Sequence, residues 1–311
     1  MIHQPLEDLF LIDLDQPKTG FRKFISSWLY VTKKMKVLVD PGPGSTIPVL
    51  LSALTEIGID RLDIILITHI HIDHVGGLGL LLREYPDATV LCHRQAVRHL
   101  VDPSKLWKGS LEVLGSLARL YGSIEPVPQK NIASETWMKE KNLAIETIET
   151  PGHASHHVCY CMNDILFTGE AAGVICPLNE GLYLRTASPA RFVYEKYKKS
   201  VLKMAQVKSS YLCFAHYGCL RRDQADYIFD AACEQLDIWL DIIERCLRRG
   251  IYPVEEHSFA EILEKDPWMR SFKMLPPDIQ QRERHFIANS IRGMTEYLVE
   301  KGKQVTSCPA D

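Results

Sequence analysis

The stretch "ITHIHIDHVGG", Ile67 to Gly77, places three histidines and an aspartate within six positions. It continues directly from "RLDIILIT", an apolar run that reads as a buried strand. A strand end hands the chain to a tight loop, where several side chains converge. Neutral imidazole nitrogens suit zinc, iron and related metals, and a carboxylate adds a negative ligand. The ordinary alternative is a polar loop whose histidines face water. Three further strand ends weigh against it, because each delivers a metal-competent residue: His153 in "ETPGHASHH", Glu170 in "LFTGEAAG" and His216 in "CFAHYG".

Working outward, "LFLIDL", "FISSWLYV" and "KVLVD" read as short opening strands separated by turn residues. "PGPGSTIPVLLSALTEIG" reads as a loop and a helix, with Ser45 or Thr46 as cap, Pro48 in the first turn and Gly58 as the stop. "GGLGLLLREYP" is a helix stopped by Pro86, and "ATVLCH" is another strand. "LAIETIETPG", "HHVCYCMND" and "DILFTGE" return to strands. "SPARFVYEKYKKSVLKM" predicts a helix capped by Ser188 with Pro189 at its first position. Strands alternating with helices favour a layered α/β domain.

From Asp223 the character changes. Ile228, Ala232, Leu236, Trp239, Ile243 and Leu247 recur at helical spacing, and Gly250 suits the stop. "SFAEILEKD" offers a Ser258 to Glu261 capping box, and "PPDIQQRERHFIANSIRGMTEYLVEKG" predicts another long helix. Two regions are therefore expected: 1–222, an α/β domain carrying the histidine cluster, and 223–311, a helical extension packed on it.

Composition bounds the rest. The 311 residues are 46% hydrophobic and 24% charged, the values of an ordinary globular chain with a core. A formal net charge of −3 provides no uniform basic field for nucleic acid. Nine cysteines without CxxC spacing suggest free thiols in a reducing compartment. The acidic N-terminus does not read as a signal peptide, and no apolar run approaches the ~20 residues of a membrane span. The expectation is a cytoplasmic protein with neither nucleic acid nor membrane as partner; a homodimer is compatible with the amphipathic tail.

The motifs together resemble the metallo-β-lactamase superfamily of hydrolases over roughly residues 8–222. The anchors are His69-Ile-His71-Ile-Asp73-His74, the "DPG" at Asp40, the "PGH" at His153, the "TGE" at Glu170 and the "AHYG" at His216. The resemblance implies an αββα sandwich, an α/β fold, with two divalent metal ions at one edge of the sheets. Zinc is the first candidate, with iron and manganese as alternatives. By the same resemblance His69, His71 and His153 hold the first metal, and Asp73, His74 and His216 the second. Glu170 stands where the family has a bridging aspartate, and its extra methylene is a departure. Asp40 takes the role of an aspartate that orients ligand histidines, and His157 that of a supporting histidine.

The chemistry implied is attack by a metal-activated hydroxide, with Asp73 orienting the water or accepting its proton besides ligating. The fourth motif has no cysteine ligand, which disfavours β-lactam hydrolysis. The intact HxHxDH and helical tail favour the glyoxalase II-like, lactonase and thioesterase group, acting on an ester, thioester or lactone. Tyr183 and Arg185 are candidate substrate-binding residues. A mono-iron persulfide dioxygenase-like oxidoreductase and a non-enzymatic metal-binding regulator remain as alternatives.

Overall fold

A computed structural model describes residues 1–306 of the chain. Short runs of branched and aromatic residues build its first sheet in strict chain order. The strands are β1 (Ile2–Leu6), β2 (Leu9–Asp13), β3 (Ser26–Val31), β4 (Lys36–Val39), β5 (Ile64–Leu66), β6 (Thr89–Leu91) and β7 (Ile132–Ala133). β1 to β4 pair antiparallel, whereas β4 to β7 pair parallel. Parallel pairing needs crossovers, and the chain supplies helices such as Ile47–Ile57 and Leu78–Glu84 between those strands. The first of these helices has Pro48 in its first turn and ends at Gly58, whose φ of 82° only glycine adopts without strain.

A second sheet is formed by β8 (Ile145–Glu149), β9 (Val158–Met162) and β10 (Ile165–Gly169). Beyond the small hairpin of β11 (Val174–Pro177) and β12 (Leu182–Arg185), it takes up β13 (Tyr211–Phe214) and β14 (Cys219–Arg221). Both sheets contribute to one core: Leu9, Trp28, Val39 and Leu66 from the first meet Val158, Tyr160, Phe167 and Cys213 from the second. Two polar side chains stitch the layers. Trp28 Nε1 donates to Phe214 O at 2.8 Å, and Tyr160 Oη shares its one proton between Ile67 O at 3.0 Å and Leu91 O at 3.1 Å. This hydroxyl ties together the ends of β5 and β6, and the histidine loop begins after β5.

By internal contacts the chain divides into two compact units. The first is Met1–Glu149, His156–Gly169 and Lys208–Arg222; the second is Thr150–Ser155, Glu170–Val207 and Asp223–Asp311. The region expected over 223–311 reaches past the described residues. Within the second unit, the helix Tyr227–Arg248 buries Ile228, Ala232, Leu236, Trp239 and Ile243, as their spacing predicts. Among the described residues no helix is long and apolar enough to cross a membrane.

Three local expectations need correction. The helix anticipated from Ser188 begins only at Tyr194, because the Ser188 backbone N–H and hydroxyl are engaged with Ser290 Oγ and Ser290 O at 3.3 Å. Ser258 is not a cap: the helix runs Val254–Lys265, started after Pro253, and Ser258 lies buried inside it against Cys246. The run from Asp223 is interrupted at Asp226, between the short helix Arg222–Ala225 and the long one.

Candidate metal centre

The loop after β5 takes its shape from Asp40, at the end of β4. Asp40 is buried and has a φ of 51°, an uncommon conformation for a non-glycine residue. Its backbone N–H donates to Leu66 O at 3.0 Å. Its carboxylate accepts from Thr68 N at 2.8 Å, from Thr68 Oγ1 at 2.6 Å and from His74 Nδ1 at 3.2 Å. Thr68 has a single hydroxyl proton and gives it to Asp40, so its oxygen is left to accept from His69 Nδ1 at 3.0 Å. One aspartate therefore sets the tautomer of two histidines. The same loop interlaces with the "DPGPG" segment: Gly42 N donates to His74 O at 3.0 Å and Gly77 N to Gly42 O at 2.8 Å. Gly77 packs tightly there: a Cβ on it would sit 2.3 Å from Ile47 Cδ1, so the Ile47 side chain would have to move.

In the first unit five donors converge. His69 Nε2 and His71 Nδ1 are 3.0 Å apart. Two nitrogens sharing a tetrahedral ion at ~2.0 Å would lie about 3.3 Å apart, so the spacing suits a common ligand point. The His69 and His74 ring centroids are 4.2 Å apart, and those of His74 and His216 are 5.1 Å apart. Asp73 Oδ2 stands 3.7 Å from both His74 Nε2 and His216 Nε2. His216 sits at the turn of the β13–β14 hairpin, its Nδ1 donating to Phe24 O at 3.2 Å and its ring against Phe24 at 4.5 Å. Ser26 anchors this hairpin by donating from Oγ to Ala215 O at 2.9 Å and accepting from Tyr217 N at 3.2 Å.

His157 lies buried with its ring centroid 5.1 Å from that of His69. It explains Gly169, whose φ is 54° and where a Cβ would come within 2.4 Å of His157 Nε2. In the second unit, His153 Nδ1 donates to Ala187 O at 2.9 Å, and its Nε2 faces Glu170 Oε2 at 3.0 Å. The Glu170 backbone carbonyl accepts from Tyr197 Oη at 2.8 Å.

Within the first unit the donor atoms of Asp73, His74 and His216 lie within 4.8 Å of one another, as do those of His69 and His71; within the second, His153 and Glu170 bring theirs together. Imidazoles whose Nδ1 is fixed by an oxygen acceptor present Nε2 as a lone pair, which is what a divalent cation binds. The residues therefore fit divalent metal binding.

Tyr183 and Arg185 lie in the second unit. They are 0% and 3% exposed and both bind Glu283, Tyr183 Oη at 3.1 Å and Arg185 Nε at 2.5 Å. Arg185 extends from strand β12, in a segment without a strand expectation, and meets a carboxylate 98 residues onward. The contributions missed by sequence reading are Thr68 and the carbonyls of Phe24 and Ala187. Thr68 borders the motif and is a hydroxyl beside a histidine, a weak signal; backbone carbonyls leave none.

A family model described as the metallo-beta-lactamase superfamily matches residues 20–216, more than half of the chain. The chain belongs to the metallo-β-lactamase superfamily. Its fold is that superfamily's αββα sandwich, with mixed sheets and a helical C-terminal region. A metallo-beta-lactamase fold-containing protein of Sulfurisphaera tokodaii is 31% identical over 205 residues, 64% of this chain and 74% of the relative. A hydroxyacylglutathione hydrolase of Aeromonas hydrophila is 29% identical over 150 residues, 46% of this chain and 44% of the relative. The crystal structure of an archaeal superfamily protein from Sulfolobus tokodaii shares the fold, with a TM-score of 0.65 at 22% identity, covering 94% of this chain and 100% of that one. Membership of this superfamily of metallo-hydrolases supports hydrolase activity in general terms.

Asp40 provides a direct test of how the site is held. Asp40→Asn keeps the shape but removes the charge and one acceptor oxygen. Affinity for zinc is expected to fall about 10–100-fold, read by competition with a chromophoric chelator. An unchanged affinity would show that Asp40 does not orient the donors.

Proposed function

We propose that the chain is a metal-dependent hydrolase that cleaves a carboxylic ester, thioester or lactone of a small molecule, like the glyoxalase II, lactonase and thioesterase branch of its superfamily. The observation that carries this reading is the shared orientation of the imidazoles. His69, His74, His153 and His216 each engage Nδ1 with an oxygen acceptor: Thr68, Asp40, Ala187 and Phe24 respectively. A histidine used only for packing has no reason to reserve the same ring nitrogen four times.

We assign two divalent cations to the histidines and carboxylates of these motifs, zinc first and iron or manganese next, because imidazole with carboxylate accepts all three. When bound, such ions lower the pKa of water towards neutrality and polarise a carbonyl oxygen. The protein's own part is orientation and proton handling. The Asp73 side chain is 13% exposed, against 1% for His74 and 3% for His216, so it is the member of its group that reaches solvent. It orients the attacking water and accepts its proton. Glu170 is read as a ligand of one ion, since its carboxylate faces His153 Nε2 at 3.0 Å. The hydroxyacylglutathione hydrolase among the relatives supports the thioester member of the substrate class.

Elemental analysis and turnover test this together. The purified chain is expected to carry about two metals and to hydrolyse p-nitrophenyl esters, S-acyl glutathione thioesters or simple lactones, with activity lost to a chelator and restored by zinc. No bound metal after reconstitution, or no turnover of any of the three by the loaded chain, would overturn the reading. About one iron per chain, with oxygen uptake on glutathione persulfide, would replace it with a dioxygenase.

A further inference from the structure

One pair of reactive side chains has no part in the metal cluster. Cys213 on β13 and Cys219 on β14 are direct register partners across the hairpin that carries His216. Phe214 N donates to Gly218 O at 3.0 Å, and Arg222 N to Ser210 O at 2.9 Å. Hydrogen-bonded and non-hydrogen-bonded pairs alternate along an antiparallel ladder, so Cys213 and Cys219 occupy a non-hydrogen-bonded position. There Cα atoms approach to about 4.5 Å and side chains are closest. Disulfides span Cα separations of roughly 4.4–6.8 Å, so the backbone already has a bridging geometry. The two Sγ atoms are 3.8 Å apart.

We propose that Cys213 and Cys219 are a peroxide-oxidisable thiol pair that closes to a disulfide at the neck of the His216 hairpin. The two sulfurs have different roles. Cys219 is half-buried and Cys213 is buried. The hydrogen bond from the Cys213 thiol holds the Cys219 thiol below its ordinary pKa, while burial pushes the Cys213 thiol well up. Cys219 is therefore the sulfur that forms a thiolate and meets the oxidant.

Its thiolate attacks one oxygen of hydrogen peroxide. An S–O bond forms, the O–O bond breaks, and the departing hydroxide takes a proton to become water. Cys213 Sγ then attacks the Cys219 sulfenic sulfur. The S–S bond forms, the S–O bond breaks, and the hydroxyl leaves with the Cys213 proton as a second water. Two electrons pass from the thiols to the peroxide.

Trypsin cleaves after Lys208 and Arg221, so the single peptide 209–221 carries both cysteines. After brief treatment of the intact protein with hydrogen peroxide, this peptide is expected to be lighter by two hydrogens and to resist alkylation until reduced. In Cys213→Ser, Cys219 is expected to persist as a sulfenic acid captured by dimedone. A peptide that still takes two alkyl groups after oxidation would overturn the pairing. Dimedone capture at Cys213 in Cys219→Ser, with none at Cys219 in Cys213→Ser, would overturn the assigned roles. The readout is a peptide mass, so it stands whether or not the metal reading does.

Discussion

Asp73→Asn is expected to slow hydrolysis by about a hundred- to ten-thousandfold, the usual contribution of a positioned proton acceptor. Asparagine keeps the size and the carbonyl oxygen. It loses the negative charge that faces His74 Nε2 and His216 Nε2 at 3.7 Å, and it cannot take a proton from water. The measurement is kcat and KM on an ester or thioester substrate, with metal content determined on the same sample. A loss in kcat at equal metal content identifies Asp73 with the chemical step. A loss that disappears when zinc is added in excess identifies it as a ligand alone. Turnover within a few fold of the parent at equal metal content would remove Asp73 from the mechanism.

Glu283→Ala is expected to destabilise the protein by about 3–5 kcal/mol, because it breaks a buried ion pair by removing one partner. Glu283 is 0% exposed and lies on the helix Pro277–Thr306. It accepts from Arg185 Nε at 2.5 Å, Arg282 Nε at 2.8 Å and Tyr183 Oη at 3.1 Å. Without it, the buried Arg185 and Arg282 guanidinium groups lose the carboxylate they share. Burial alone would raise the Glu283 pKa, but the charges of Arg185 and Arg282 outweigh it and hold the carboxyl down at about 2, from an ordinary 4.5.

A carboxylate depressed in the folded state contributes stability that is complete above its unfolded pKa and is lost as pH falls through the folded one. The parent should therefore lose stability progressively from pH ~4.5 towards ~2. Glu283→Gln should lack this component of the acid loss. Urea unfolding across that range reads both effects. A midpoint for Glu283→Ala within error of the parent at neutral pH would refute the role given to the pair.

The histidine motif was legible because strand ends deliver loop residues to one edge of a sheet. A periodic apolar run such as "RLDIILIT" marks the strand, and the residue that follows it is then placed without knowledge of the pairing. The same logic located His153, Glu170 and His216, each after its own apolar segment. The helix Tyr227–Arg248 was equally legible, since its buried positions follow the helical period. Ser188 and Ser258 misled for the opposite reason. A cap signature is four residues long and local, and at both sites a tertiary partner, Ser290 or Cys246, took the hydroxyl.

Tyr183 and Arg185 show the limit most clearly. An arginine and a tyrosine just after a ligand strand read equally well as a substrate clamp or as half of a buried network. Glu283, the carboxylate that both side chains meet, stands in "QQRERHF" with nothing to distinguish it from a solvated glutamate.

The sequence by itself determined the superfamily, the order of strands and helices, and the residue types able to ligate metal, since all of these follow from local period and from side-chain chemistry. The tertiary structure alone decided which nitrogen each of these histidines presents, that Asp40 and Thr68 set two of those choices, that Glu170 faces His153, and that Cys213 faces Cys219. Each of these is a matter of hydrogen-bond geometry or strand register between residues distant in sequence, and no local pattern encodes which partner arrives.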